Sequence, residues 1–171
     1  MLEAAWQRLD NGVRYALPLV TTLLFLFISV VPWPVPWLGP VAPPLGLITL
    51  YYWAIHRPDL FRPSMAFLIG LLNDVINSLP LGLSAFVFVA AHQLVLRQRR
   101  FFVGHSFFMM WIGFALMISI IMLIEWLALS LYGWRTIPFL PVLMQDLLVI
   151  VIFPLPCCFL IYLQRIALSQ E

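Results

Sequence analysis

The sequence predicts an all-α polytopic membrane protein, a bundle of six transmembrane helices with little mass outside the bilayer. Three observations predict it. Hydrophobic residues fill 64% of the 171 positions and charged ones only 9%, with a mean hydropathy of +1.04, whereas a soluble domain is about a quarter charged. So few charges cannot cover the surface of a water-soluble fold of this size, and lipid is therefore the solvent. Six apolar runs stand between the charges, and the arginines alternate with those runs in a single sense.

The first run, residues 15–31, leads into Val31, Pro32, Trp33, Pro34, Val35, Pro36 and Trp37. No small-residue cleavage site follows it, so it reads as a retained span and not a signal peptide. The second and third runs, 41–55 and 65–79, fall short of the roughly 20 residues that a hydrocarbon core of about 30 Å requires. They are expected to thin the bilayer or to recruit flanking residues. Residues 81–96 form the fourth run; the fifth and sixth, 106–131 and 137–163, are long enough to cross unaided. Prolines punctuate the joints: Pro32, Pro34, Pro36 and Pro40, then Pro58 and Pro63, then Pro80. Pro154 and Pro156 are expected to bend the sixth span toward its inner end. Trp33 and Trp37 in the first loop, and Tyr132 and Trp134 in the last, suit a membrane interface. The whole chain, 1–171, reads as one transmembrane domain.

Net charge is only +2, and all nine basic residues are arginines. Arg8 and Arg14 precede the first span, Arg57 and Arg62 join the second to the third, Arg97, Arg99 and Arg100 follow the fourth, and Arg165 follows the sixth. Arg135 alone falls on the opposite side. That bias places both termini in the cytoplasm and the aromatic loops outside. Cys157 and Cys158 are adjacent, where disulfide geometry is rarely reached, and read as free thiols.

Ionisable groups inside apolar helices are costly, which makes each a functional candidate. Counting along the spans puts Asp74, Glu125 and Asp146 at a shared depth, about 7 to 12 Å below the outer boundary. Two readings stand for Glu125 and Asp146: with Asp74 they line an outward-facing polar site or hold a partner's segment, helped by Arg135, or they hydrogen-bond within the bundle and reach for the interface. Asn73, Asp74, Asn77 and Ser78 crowd polar groups into little more than one turn above Gly70, so that face of the third span must meet protein. His92, beside Gln93, has no second His or Cys at ligand spacing and reads as a bundle hydrogen bond. Gly46, Thr49, Trp53 and His56 share a face of the second span and read as close packing. No catalytic constellation, phosphate loop or nucleotide fingerprint is present. The expectation is a non-enzymatic protein with no metal, no cofactor and no nucleic-acid partner.

The stretch from Gly70 to Ala85 reads G-L-L-x-D, a short gap, then P-L-G-x-x-A. It resembles the rod shape-determining protein MreD family, as do the length, the span pattern, the Pro43-Pro44-Leu45 interruption and the arginine run after the fourth span. The resemblance implies an inner-membrane scaffold of the bacterial cell-elongation (rod) complex. It would bind MreC and help couple the actin-like MreB to peptidoglycan synthesis by a SEDS glycosyltransferase with a class B penicillin-binding protein. It also implies a topology like that of the substrate-binding subunits of energy-coupling-factor transporters. Asp74, Pro80 and Gly82 match the family motif, while Asn73 and Asn77 are read from this chain alone. A groove around the third and fourth spans, with small residues Gly70, Gly82, Ala85 and Gly113, is expected to receive a partner's segment, Asp74 accepting its hydrogen bonds. The competing expectations are a small-solute-binding transporter subunit, its carboxylates and His92 lining a pocket, and an ion path through Asp74, His92 and Glu125.

Overall fold

The computed structural model describes residues 2–31, 33–35, 39–41, 43–102, 104, 106–133 and 138–168. In chain order they form α1 (Leu2–Val30), β1 (Trp33–Val35), β2 (Gly39–Val41), α2 (Leu45–His56), α3 (Pro63–Ile76), α4 (Leu83–Phe102), α5 (Phe107–Gly133), α6 (Phe139–Ile152) and α7 (Pro154–Leu168). The last two are halves of one rod. The chain is thus all-α, as the composition demands, and among the described residues one small antiparallel hairpin of three-residue strands joins α1 to α2 without changing that class. In that hairpin Trp33 faces Val41, Pro34 faces Pro40 and Val35 faces Gly39. Opposed residues in an antiparallel ladder alternate between bonded and non-bonded pairs, and two facing prolines forfeit nothing at a non-bonded pair. Prolines that looked like breaks therefore fit a ribbon. Pro32, Pro36, Trp37, Trp134 and Arg135, on which parts of the loop and orientation reasoning drew, lie outside the described residues.

Among the described residues, two helical rods are long and apolar enough to cross a bilayer on those grounds alone, Phe107–Tyr132 and Phe139–Ile166. The second is broken at Phe153, between the 14 residues of α6 and the 15 of α7. The sequence placed the bend nearer the inner end, but it falls at mid-rod. Pro154 has no amide for the carbonyl of Ile150, one turn upstream. The indole N–H of Trp111, from α5, donates to that carbonyl at 2.8 Å. A neighbouring helix thus satisfies what the proline frees.

The core is organised around α2. Every residue from Leu45 to Ile55 is buried, and its polar side chains tie it to its neighbours. Trp53 Nε1 donates to Thr21 Oγ1 of α1 at 3.0 Å, Tyr51 Oη to the Met110 carbonyl of α5 at 3.0 Å, and Tyr52 Oη to Gln164 Oε1 of α7 at 2.6 Å. Ser29 Oγ accepts the first amide of the helix, from Leu45, at 2.8 Å. Arg99 Nε of α4 donates to the Ile55 carbonyl near its last residue at 2.7 Å. This changes the meaning of its length. Twelve residues span only about 18 Å, yet a helix wrapped in protein has no hydrocarbon thickness to match, so thinning the bilayer is not required of α2. These bonds also gather the α2–α3 joint, Arg99 and Gln164 at one end of the bundle, called here the arginine end; the α3–α4 turn lies at the far end.

Candidate functional site

The family-like stretch folds into the α3–α4 hairpin, and its polar residues close that hairpin from within. Helix α3 ends in a Schellman motif: the Leu79 amide donates to the Asp74 carbonyl at 2.9 Å and the Ser78 amide to the Val75 carbonyl at 3.4 Å. Ser78 occupies the left-handed position with φ +53°, where a glycine is ordinarily found because a Cβ is strained there. Ser78→Gly is therefore expected to stabilise the protein by about 1 kcal/mol, as a raised thermal unfolding midpoint in detergent. The chain then turns through Pro80 and Gly82, at φ +99°, into α4, whose first helical bond runs from the Phe86 amide to the Gly82 carbonyl at 2.9 Å.

Asp74 caps that new helix from the old one. Its Oδ2 accepts the Gly82 amide at 2.8 Å and its Oδ1 the Ser84 amide at 2.8 Å. Both donors belong to the first turn of α4, which has no carbonyl of its own to offer them. The carboxylate, 0% exposed, also meets the positive end of the helix dipole. Asn73 Nδ2 donates to Ser84 Oγ at 2.9 Å, and Asn77 Nδ2 donates to Asn73 Oδ1 and to its carbonyl at 2.9 and 3.0 Å. One turn below, Gly70 lets the helices touch: a Cβ there would stand 2.5 Å from Ala85 Cα and 2.6 Å from the Ser84 carbonyl oxygen. Gly70, Asn73, Asp74 and Gly82 thus converge on one device, a clamp of α3 onto α4. The expectation that Asp74 accepts a partner's hydrogen bonds is corrected, because the carboxylate is wholly buried in the hairpin and each of its oxygens holds an amide of its own chain. What the hairpin leaves exposed is a rim of Val75, Asn77, Ser78, Leu81 and Phe86.

The three carboxylates do not share a depth. Asp74 lies two residues from the end of α3, within Coulombic range of Glu125, which is half-buried on α5. Asp146 of α6 instead accepts the hydroxyl of Ser119 at 2.7 Å. Ser119 precedes Glu125 by six residues, which sets Asp146 about 9 Å closer to the arginine end. His92 is elsewhere again. Fully buried, it donates from Nε2 to the Phe61 carbonyl at 2.9 Å and so ties α4 to the α2–α3 joint. The cavity between α1, the start of α2 and the α6–α7 break, about 260 Å³, is lined by Phe25, Leu45, Ile152, Pro156 and their apolar neighbours. None of the candidate polar residues reaches it. Sequence reasoning missed Ser84 and Ser119. Ser119 did leave a signal, as a polar residue within a long apolar run.

No curated protein and no solved structure matches this chain. The family model described as rod shape-determining protein MreD matches residues 11–166, nearly the whole length and all of the clamped hairpin. The chain belongs to the MreD family of rod shape-determining membrane proteins.

Proposed function

We propose that this protein is a non-enzymatic scaffold of the cell-elongation complex in the bacterial inner membrane, and that it binds MreC. Through MreC it helps couple MreB to the SEDS glycosyltransferase and class B penicillin-binding protein that build peptidoglycan. The observation that carries this reading is the family match over residues 11–166. The physical chemistry agrees with it. A chain whose mass is almost all helix offers a partner little beyond its lateral faces and short rims, and its motif residues are spent on a rigid hairpin that fixes such a rim in place. In this reading the six rods are six spans on the plan of the substrate-binding subunits of energy-coupling-factor transporters. Both termini and the arginine end lie in the cytoplasm, consistent with the arginine count.

Pull-down of the full chain from native membranes is expected to recover MreC, with wall-synthesis enzymes at lower yield. Recovery of transport ATPase subunits without MreC would overturn the scaffold reading. A reporter that is active only in the cytoplasm is expected to work when fused after Arg100 and to be silent when inserted at Ser78. The reverse pattern would invert the orientation.

A further inference from the structure

An apolar helix face gives a second helix no reason to prefer it over lipid, since hydrocarbon solvates it equally well. Lateral association in a bilayer is driven by close packing and by polar groups. Several of the bundle's polar side chains are already satisfied within the chain. Thr21, Thr22 and Ser29 are buried and donate to carbonyls of α1 itself, and the asparagines at the far end are held within the hairpin.

The seam between α5 and α6 is different. Ser119 stands exposed among Leu116, Ile120 and Leu123, and its hydroxyl points to Asp146 Oδ2. Asp146 is 8% exposed, and its Oδ1 is buried with no hydrogen-bond partner. A carboxylate offers about four acceptor positions, and this one receives a single hydroxyl. No described arginine pairs with it. An uncompensated carboxylate beside lipid is among the most unfavourable groups a membrane helix can carry, unless something supplies donors.

We propose that the α5–α6 seam is the docking face for a partner's transmembrane helix bearing one basic side chain, which reaches past Ser119 to Asp146. Charge complementarity selects the occupant. A guanidinium brings several N–H donors on a long apolar stem that lies along Leu116 and Leu123 while its head meets the carboxylate. This inference rests on the scaffold reading above, and it adds which face is used and what chemistry the partner presents there.

The test uses the full-length chain in phosphatidylcholine vesicles and a synthetic leucine-alanine transmembrane helix carrying one arginine at the depth of Asp146, or leucine at that position. Association is read by fluorescence energy transfer to a dye at the chain's C-terminal end. The arginine helix is expected to associate at least tenfold more tightly than the leucine helix. Asp146→Asn should shrink that preference to within threefold. Leu123→Trp, which obstructs the seam from the lipid side without touching the core, should weaken binding of the arginine helix as strongly, and Leu24→Trp on α1 should leave it unchanged. Equal association of the two helices would overturn the inference. So would a preference that survives both Asp146→Asn and Leu123→Trp, which would mean lipid phosphates hold the arginine. Co-purification of MreC separates the two ideas. If wild type retains MreC and both seam variants retain it equally, the seam assignment falls while the scaffold reading stands. If wild type does not bind MreC, the scaffold reading falls, and the peptide result decides the seam by itself.

Discussion

Gly70→Ala is expected to destabilise the protein by about 3 kcal/mol, although it adds a single methyl group. The Cβ would lie 2.5 Å from Ala85 Cα, 2.6 Å from the Ser84 oxygen and 2.8 Å from the Ala85 nitrogen, all backbone atoms that cannot rotate aside. Relief requires α4 to move off by about 1 Å, since carbon atoms pack no closer than about 3.5 Å. The same displacement draws the Gly82 and Ser84 amides away from Asp74, from 2.8 Å toward the limit of a hydrogen bond. Steric and polar losses therefore arrive together. Gly46→Ala is the contrast, because the Cβ there would meet the flexible end of Leu26 at 3.4 Å. Thermal unfolding in detergent should show a large fall in midpoint for the first variant and little change for the second. Equal midpoints for Gly70→Ala and wild type would refute the clamp.

The second large effect is expected at Asp74. Asp74→Leu removes two charge-assisted hydrogen bonds and leaves two buried amides without acceptors, a loss of about 4 kcal/mol. Asp74→Asn retains one acceptor oxygen but turns an NH₂ group toward the other amide, donor against donor, and should lose about half as much. The midpoints should fall in the order wild type, Asn, Leu. Since Gly70→Ala disturbs the same contact, combining it with Asp74→Asn should be less than additive, as expected for residues that act through one displacement. Strict additivity would mean that the glycine and the carboxylate act separately. In cells that depend on this protein for rod shape, both Gly70→Ala and Asp74→Leu should give rounded cells, because each loosens the hairpin that carries the exposed rim.

Much of this was legible beforehand. The lipid environment, the helical class and a protein-facing polar turn in the third span all follow from where the charges and amides stand. The acceptor role of Asp74 was legible too, but not its donors, which are backbone amides eight and ten residues further on and leave no mark in a side-chain pattern. The shortness of α2 is legible in the sequence, but its burial is not. A helix that is apolar all round is buried in a soluble protein, but in a chain this hydrophobic every helix looks that way, so encirclement by protein could not be told from contact with lipid. The link between Ser119 and Asp146 joins residues 27 apart, and only packing brings them together. The mid-rod break was visible as Pro154 and Pro156, while its position depended on which carbonyl the first proline frees and on Trp111 being there to meet it.

The central place of α2 bears on how the protein is made. It is made early, yet the hydroxyls of Tyr51 and Tyr52 donate to α5 and α7, which are made after it. Until α7 is made, the Tyr52 hydroxyl lacks the Gln164 acceptor that it has in the finished bundle. A ribosome that stops after α4 therefore releases a product whose middle helix is unfinished on two sides, the kind of intermediate that membrane proteases and insertion chaperones are able to detect.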